Sequence, residues 1–191
     1  MSSADEANQE RRLQVQAYYA WTQIAGQKPV PTVSDVVAAD YGDLAPYSFM
    51  MEVTDEDLPP RFRHIGDELL FDCEGVEAIE TLADVPGLSL ISRLSDHYMQ
   101  CIANEAPVGF EAGFVNRLGQ PLLYRGIIMP VAQNDDGVLN AVWGVINCKV
   151  ESDAPASPLT LPKKGKKAPA AGPVQITPSP DLAEIIEAMT P

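Results

Sequence analysis

The sequence predicts an α+β fold: a five-stranded antiparallel sheet with helices on one face, an N-terminal helix before it and a disordered C-terminal tail after it. Three observations point there. Apolar runs at 108–116, 122–131 and 138–149 are joined by short polar segments that each contain a glycine. Two earlier strand-like runs, 45–53 and 61–65, are separated from them by stretches of helical periodicity. Beyond residue 151 this patterning gives way to Pro, Ala, Ser and Lys.

The first element is a helix over 5–25. Leu13, Ala17, Trp21 and Ile24, with Tyr18 and Ala25, recur at three- and four-residue spacing, while Glu6, Glu10, Arg11 and Arg12 are polar. Gly26 is placed to end it, and Pro29 and Pro31 prevent its continuation. A stripe carrying a Tyr and a Trp needs a partner surface, either the domain's own core or a second copy of the helix. Leu13, Tyr18, Trp21 and Ile24 are therefore the candidate dimerisation residues.

The run 45–53 reads as the first strand and 61–65 as the second, Phe62 alternating with Arg61 and Arg63. Residues 67–80 suggest short helical turns, and Pro86-Gly87 is a break. A helix is expected over 88–104: Ile91, Leu94, Tyr98 and Ile102 line one face, Arg93, Asp96 and Gln100 the other, and Pro107 closes it. The three runs that follow are joined by Arg117-Leu118-Gly119-Gln120 and Asn134-Asp135-Asp136-Gly137. Both place Gly where a hairpin turn wants positive φ, so the three strands form an antiparallel meander.

The segment 151–179 cannot bury enough apolar area to offset its chain entropy and reads as a flexible linker. Its Lys163, Lys164, Lys166 and Lys167 are read as a solvated spacer. Residues 180–191 suggest a short amphipathic helix: Ser179 as cap, Pro180 at the first position, Asp181 near the positive end. Leu182, Ile185, Ile186 and Met189 share a face, either for docking a partner or for packing back on the domain. The organisation is thus 1–39 helix and lead-in, 40–150 main domain, 151–179 linker, 180–191 helix.

Composition narrows the function. Acidic residues outnumber basic ones, 27 to 13, and residues 1–150 hold 22 acids against 9 bases, a net of −13. Such a surface repels phosphate backbones and shows no Lys/Arg stripe, so nucleic-acid binding is not expected. Three cysteines, Cys73, Cys101 and Cys148, make no CxxC pair and describe neither a disulfide framework nor a zinc site. The charged N-terminus lacks a secretory h-region, and the longest apolar runs are strand-sized, so a cytoplasmic protein with no membrane span is expected.

Local motifs add a family resemblance. The stretch Arg61-Phe62-Arg63-His64-Ile65-Gly66-Asp67-Glu68 resembles the second-strand motif of a divergent, stand-alone PAS group of alphaproteobacteria. Tyr124-Arg125-Gly126-Ile127-Ile128-Met129-Pro130-Val131, followed by Asp135-Asp136-Gly137, is similar to that group's penultimate strand and turn. Ala141-Val142-Trp143-Gly144-Val145-Ile146 resembles its last strand, and the resemblance spans about residues 15–150. The group tends to carry arginines after the tryptophan, whereas 23–30 here has only Lys28. The resemblance implies a PAS fold whose helices close a small-molecule cavity. It also implies a non-enzymatic sensory or regulatory role in bacterial signal transduction, with the N-terminal helix as homodimer or signalling element. A signalling partner protein and a small-molecule ligand are the implied partners.

The histidines and cysteines admit sharper readings beside plain ones. Haem-bearing members carry a His on the long helix; His97 takes that place, but a boundary His making one hydrogen bond is the preferred reading, and no cofactor is predicted. Photoreceptor members carry a cysteine within Asn-Cys-Arg-Phe-Leu-Gln, which matches neither Phe71-Asp72-Cys73-Glu74-Gly75 nor Asn147-Cys148-Lys149-Val150. His97 and Cys101 are one helical turn apart, yet no third group or oxyanion loop accompanies them, so catalysis is not expected. For an apolar or aromatic ligand the candidate lining is His97, Tyr98, Cys101, Phe114, Tyr124, Met129 and Trp143, with Arg125 as anchor for an anionic group. The alternative is a structural adaptor with a filled core that docks partners through 180–189.

Overall fold

A computed structural model describes residues 3–53, 58–71, 73 and 78–150. The linker and the helix expected at 180–191, with Leu182, Ile185, Ile186 and Met189, lie outside the described residues. Within them run three α-helices, α1 (Ser3–Ala25), α2 (Val33–Ala38) and α3 (Tyr98–Asn104). The five strands are β1 (Ser48–Glu52), β2 (Arg61–Ile65), β3 (Val108–Val115), β4 (Pro121–Ala132) and β5 (Leu139–Val150). The strands form one antiparallel sheet in the order β2-β1-β5-β4-β3. The meander is as expected: Gly119 and Gly137 occupy the two hairpins at φ 76 and 79, values that Cβ-bearing residues resist.

Both faces of the sheet are covered. Even-numbered residues of β3–β5 (Phe110, Tyr124, Ile128, Val142, Ile146) pack with Leu69, Leu90, Ile91, Leu94 and Cys101 from the helical turns between β2 and β3. Odd-numbered ones (Ile127, Met129, Val131, Ala141, Trp143, Val145) pack with Ala17 and Trp21 of α1, Val36 of α2 and Leu44. The period-two alternation of a strand thus divides the core in two. Two close approaches depend on glycine. A Cβ at Gly126 would meet the Phe110 ring at 2.5 Å, and one at Gly144 would meet the Ile127 carbonyl oxygen at 2.6 Å.

Three elements differ from expectation for local reasons. The strand expected over 45–53 begins at Ser48, because Pro46 belongs to a 3-10 helix, Gly42–Tyr47, that leads into it. The helix expected over 88–104 is split at His97: a 3-10 segment, Ile91–Asp96, precedes α3. Ser89, Ser92 and Ser95 each donate a hydroxyl hydrogen bond to the carbonyl three residues back, at 2.7, 2.7 and 2.9 Å. Side-chain bonds to nearby carbonyls compete with the α-helical ladder, and their three-residue spacing is that of a 3-10 helix. Helix α3 ends with Glu105 at φ 53, whose amide bonds Ile102 O while Ala106 N bonds Cys101 O, the paired closure of a left-handed C-terminus. The third difference is α2, set up by Thr32 and Asp35, which bond each other's backbone amides as a capping box.

Candidate functional site

The expected cavity residues divide between the two faces. His97, Cys101, Phe114 and Tyr124 come together on the helical face, with Tyr98 packed beside them. The His97 ring lies flat on Phe110, centroids 4.1 Å apart and planes 9° apart, and Phe114 meets Tyr124 edge-on at 5.6 Å. The Arg93 guanidinium sits 5.4 Å over the Phe114 ring. Cys101 Sγ donates to Ile128 O at 3.6 Å, and burial pushes its thiol pKa up to about 12.

Met129 and Trp143 are not part of that cluster: both lie on the other face against α1, because they stand an odd number of residues along the strand from the inward-facing positions. Arg125 is also odd. Its Nε and Nη2 donate to Glu111 Oε2 on β3 at 3.0 and 2.6 Å, so its charge is taken by a neighbouring strand rather than offered to a cavity ligand. The stripe of α1 packs on the chain's own sheet. Trp21 is 7% exposed, and Leu13, Tyr18 and Ile24, each half-buried, pack on the same cluster. Two polar bonds fix the helix there: Gln14 Nε2 to Gly126 O at 2.9 Å and Trp21 Nε1 to Pro130 O at 3.0 Å.

Open space lies where the sheet is stepped. β5 has twelve residues and β1 only five, and their pairing stops at Ser48↔Val145. From residue 146 onward β5 has no strand beside it on the β1 side among the described residues. A cleft of about 240 Å³ occupies this step. Leu90, Leu122, Ile146 and Cys148 reach it from the helical face, Asn147 and Lys149 come from the opposite side of β5, and Tyr47, Glu68 and Phe71 complete the wall. The cleft therefore wraps around a strand edge, with apolar side chains on one side and a carboxylate, an ammonium and an amide within reach. That mixture suits a small, largely apolar molecule with a polar end, below the roughly 300–1,000 Å³ of drug-sized pockets. None of these residues was among the sequence-derived candidates. The available signal was length: a closing strand of about a dozen apolar-rich residues must outrun a short first strand.

A five-stranded antiparallel sheet in the order β2-β1-β5-β4-β3, with the helical turns inserted between β2 and β3, is a PAS-like fold. The chain is similar to solved structures of Vivid, described as a blue-light photoreceptor, in its photo-excited form. There the identity is 16% over 69% of this chain and 93% of that one, with a TM-score of 0.41. An isoleucine-to-valine variant of Vivid gives 15% identity over 69% and 92%, with a TM-score of 0.42. No family model matches the chain. No curated protein matches it either. No helix among the described residues is long and apolar enough to cross a membrane.

Proposed function

We propose that this chain is a non-catalytic sensory and regulatory module that binds a small apolar molecule in the cleft at the end of β5 and passes the occupancy to a protein partner. The observation that carries the proposal is the cleft itself, an amphipathic space at a strand step. Leu122 and Ile146 wall the cleft on β4 and β5, the same two strands that carry α1 on their other face. A ligand that shifts these strands by a fraction of an ångström also moves the carbonyls of Gly126 and Pro130 to which α1 is bonded. The two requirements of a switch, a site and an element that senses it, are then met by one sheet.

Native mass spectrometry of the purified full chain tests the proposal, alongside a thermal-shift screen with small carboxylic acids, amines and neutral aromatics. A co-purifying mass, or a stabilising compound, is expected with the parent chain and should be lost in Cys148→Phe, which fills the cleft from a half-buried wall position. A chain that carries nothing and is shifted by nothing, or a Cys148→Phe variant that binds undiminished, removes the cleft from consideration. An absorption spectrum taken on the same sample decides the haem alternative through His97 by the presence or absence of a Soret band.

A further inference from the structure

We propose that the outer edge of β3 is a homodimer interface, at which two copies of this chain pair antiparallel across a two-fold axis at Ala112. The sheet has two outer edges, β2 and β3. The β2 edge is covered where the strand begins: Phe62 N bonds Glu80 O at 2.8 Å, Leu82 N bonds Pro60 O at 2.9 Å, and Arg61 bridges Thr81. No strand or bridge lies on the outer side of β3 among the described residues.

The direction of each backbone group on β3 follows from the ladder. Asn116 N bonds Gln120 O at 3.0 Å, so the even-numbered residues of β3 point their amides and carbonyls at β4. The odd-numbered residues then point theirs outward. Arg117 confirms the parity: its amide is directed away from β4 and is taken by Leu88 O at 3.1 Å. That bond closes the far end of the edge and leaves Gly109, Glu111, Gly113 and Val115 with outward-facing backbone groups.

The strand is complementary to itself in one register. Two copies related by a two-fold axis normal to the sheet must pair residues of the same face. With Ala112 opposite Ala112, Phe110 meets Phe114, Glu111 meets Gly113, and Gly109 meets Val115. All four outward residues then both donate and accept across the axis. Glu111, the one charged residue of the strand, faces a glycine and keeps its ion pair with Arg125. Shifting the axis to Glu111 would set the two glutamates against each other and bring Val115 opposite Pro107, which has no amide hydrogen. Val115 and Leu118, 55% and 64% exposed, continue the surface at one end of the edge.

Sedimentation of the full chain over a concentration series reaching on the order of 100 μM is expected to show a reversible dimer that tightens with added salt, since both copies carry a net negative charge. Gly113→Pro removes one outward amide while sparing the bonds to β4, and should weaken the dimer at least about tenfold with the circular dichroism unchanged. Under mild oxidation Ala112→Cys should give a covalent dimer beyond any formed by the parent chain with its native cysteines, and Glu111→Cys should not. A parent chain that stays monomeric throughout, a Gly113→Pro dimer of unaltered affinity, or cross-linking through Glu111→Cys instead of Ala112→Cys overturns the proposal. Should Gly113→Pro fail to fold, the two cysteine variants decide it.

Discussion

Cys101 and Cys148 look alike in the sequence, two small residues in apolar runs, yet the fold gives them opposite chemistry. Cys101 is fully buried, donates to Ile128 O, and holds its proton up to about 12. Cys148 is half-buried in the cleft wall. Because the thiolate is the nucleophile, iodoacetamide at pH 8 should label Cys148 in the folded chain and leave Cys101 untouched until the chain is denatured. Peptide mass spectrometry reads this directly, and labelling of Cys101 at the rate of Cys148 would contradict the burial described. At this scale the sequence was informative about identity and silent about facing. Tyr124 and Met129 are five residues apart on β4, an odd interval that sends them to opposite faces, but β4 and β5 are apolar on both faces. Without a polar side to anchor the alternation, the parity cannot be tied to one layer from residue types alone.

Among the elements, the meander and β2 were legible because their turns and alternation are local properties. The short helix α2 was not anticipated, although Thr32 and Asp35 spell its cap, since six residues give too little periodicity to register. Its stability is electrostatic enough to test. Asp35 bonds Lys28 Nζ at 2.8 Å as well as the Thr32 amide and hydroxyl, and these hold its pKa down from 3.8 to about 2, the Lys28 hydrogen bond contributing most. A depressed folded pKa stabilises above the unfolded value and is lost as pH falls toward the folded one. Amide exchange at Val36, which bonds Thr32 O, should therefore accelerate as pH drops from 3.8 toward about 2, relative to Asp35→Asn at each pH. Both partners are largely solvated, so the effect should be small and should shrink with salt. An Asp35→Asn profile identical to the parent's would remove the carboxylate from the account.

For the whole molecule, the decisive fact is that one sheet serves two cores. The sequence indicated the strands, the intervening helical turns and an N-terminal helix with a buried-looking stripe; what covers that stripe is a tertiary matter, and both a second copy and the chain's own sheet satisfy the same periodicity. In the structure the chain's own sheet covers it, and β4 offers acceptors as well as apolar surface. Pro130 lies beyond the end of β3, whose pairing stops at Val108↔Ile128, so its carbonyl has no strand to bond and is met by Trp21 Nε1. Trp21→Phe keeps most of the ring and strands that carbonyl, and should lower stability by about 1–3 kcal/mol. In a chain of this size that is a fall in melting temperature of roughly 2–4 °C per kcal/mol, measurable by calorimetry. An unchanged transition would mean that water replaces the indole without cost.

The same arrangement bears on how the protein ages and expresses. Lifting α1 away would bare Ile127, Met129, Val131, Trp143 and Val145 together, a contiguous apolar surface of the kind that nucleates aggregation. An N-terminal truncation that removes α1, a common step when trimming a chain to its apparent domain at residue 40, should therefore yield inclusion bodies in place of a smaller soluble protein.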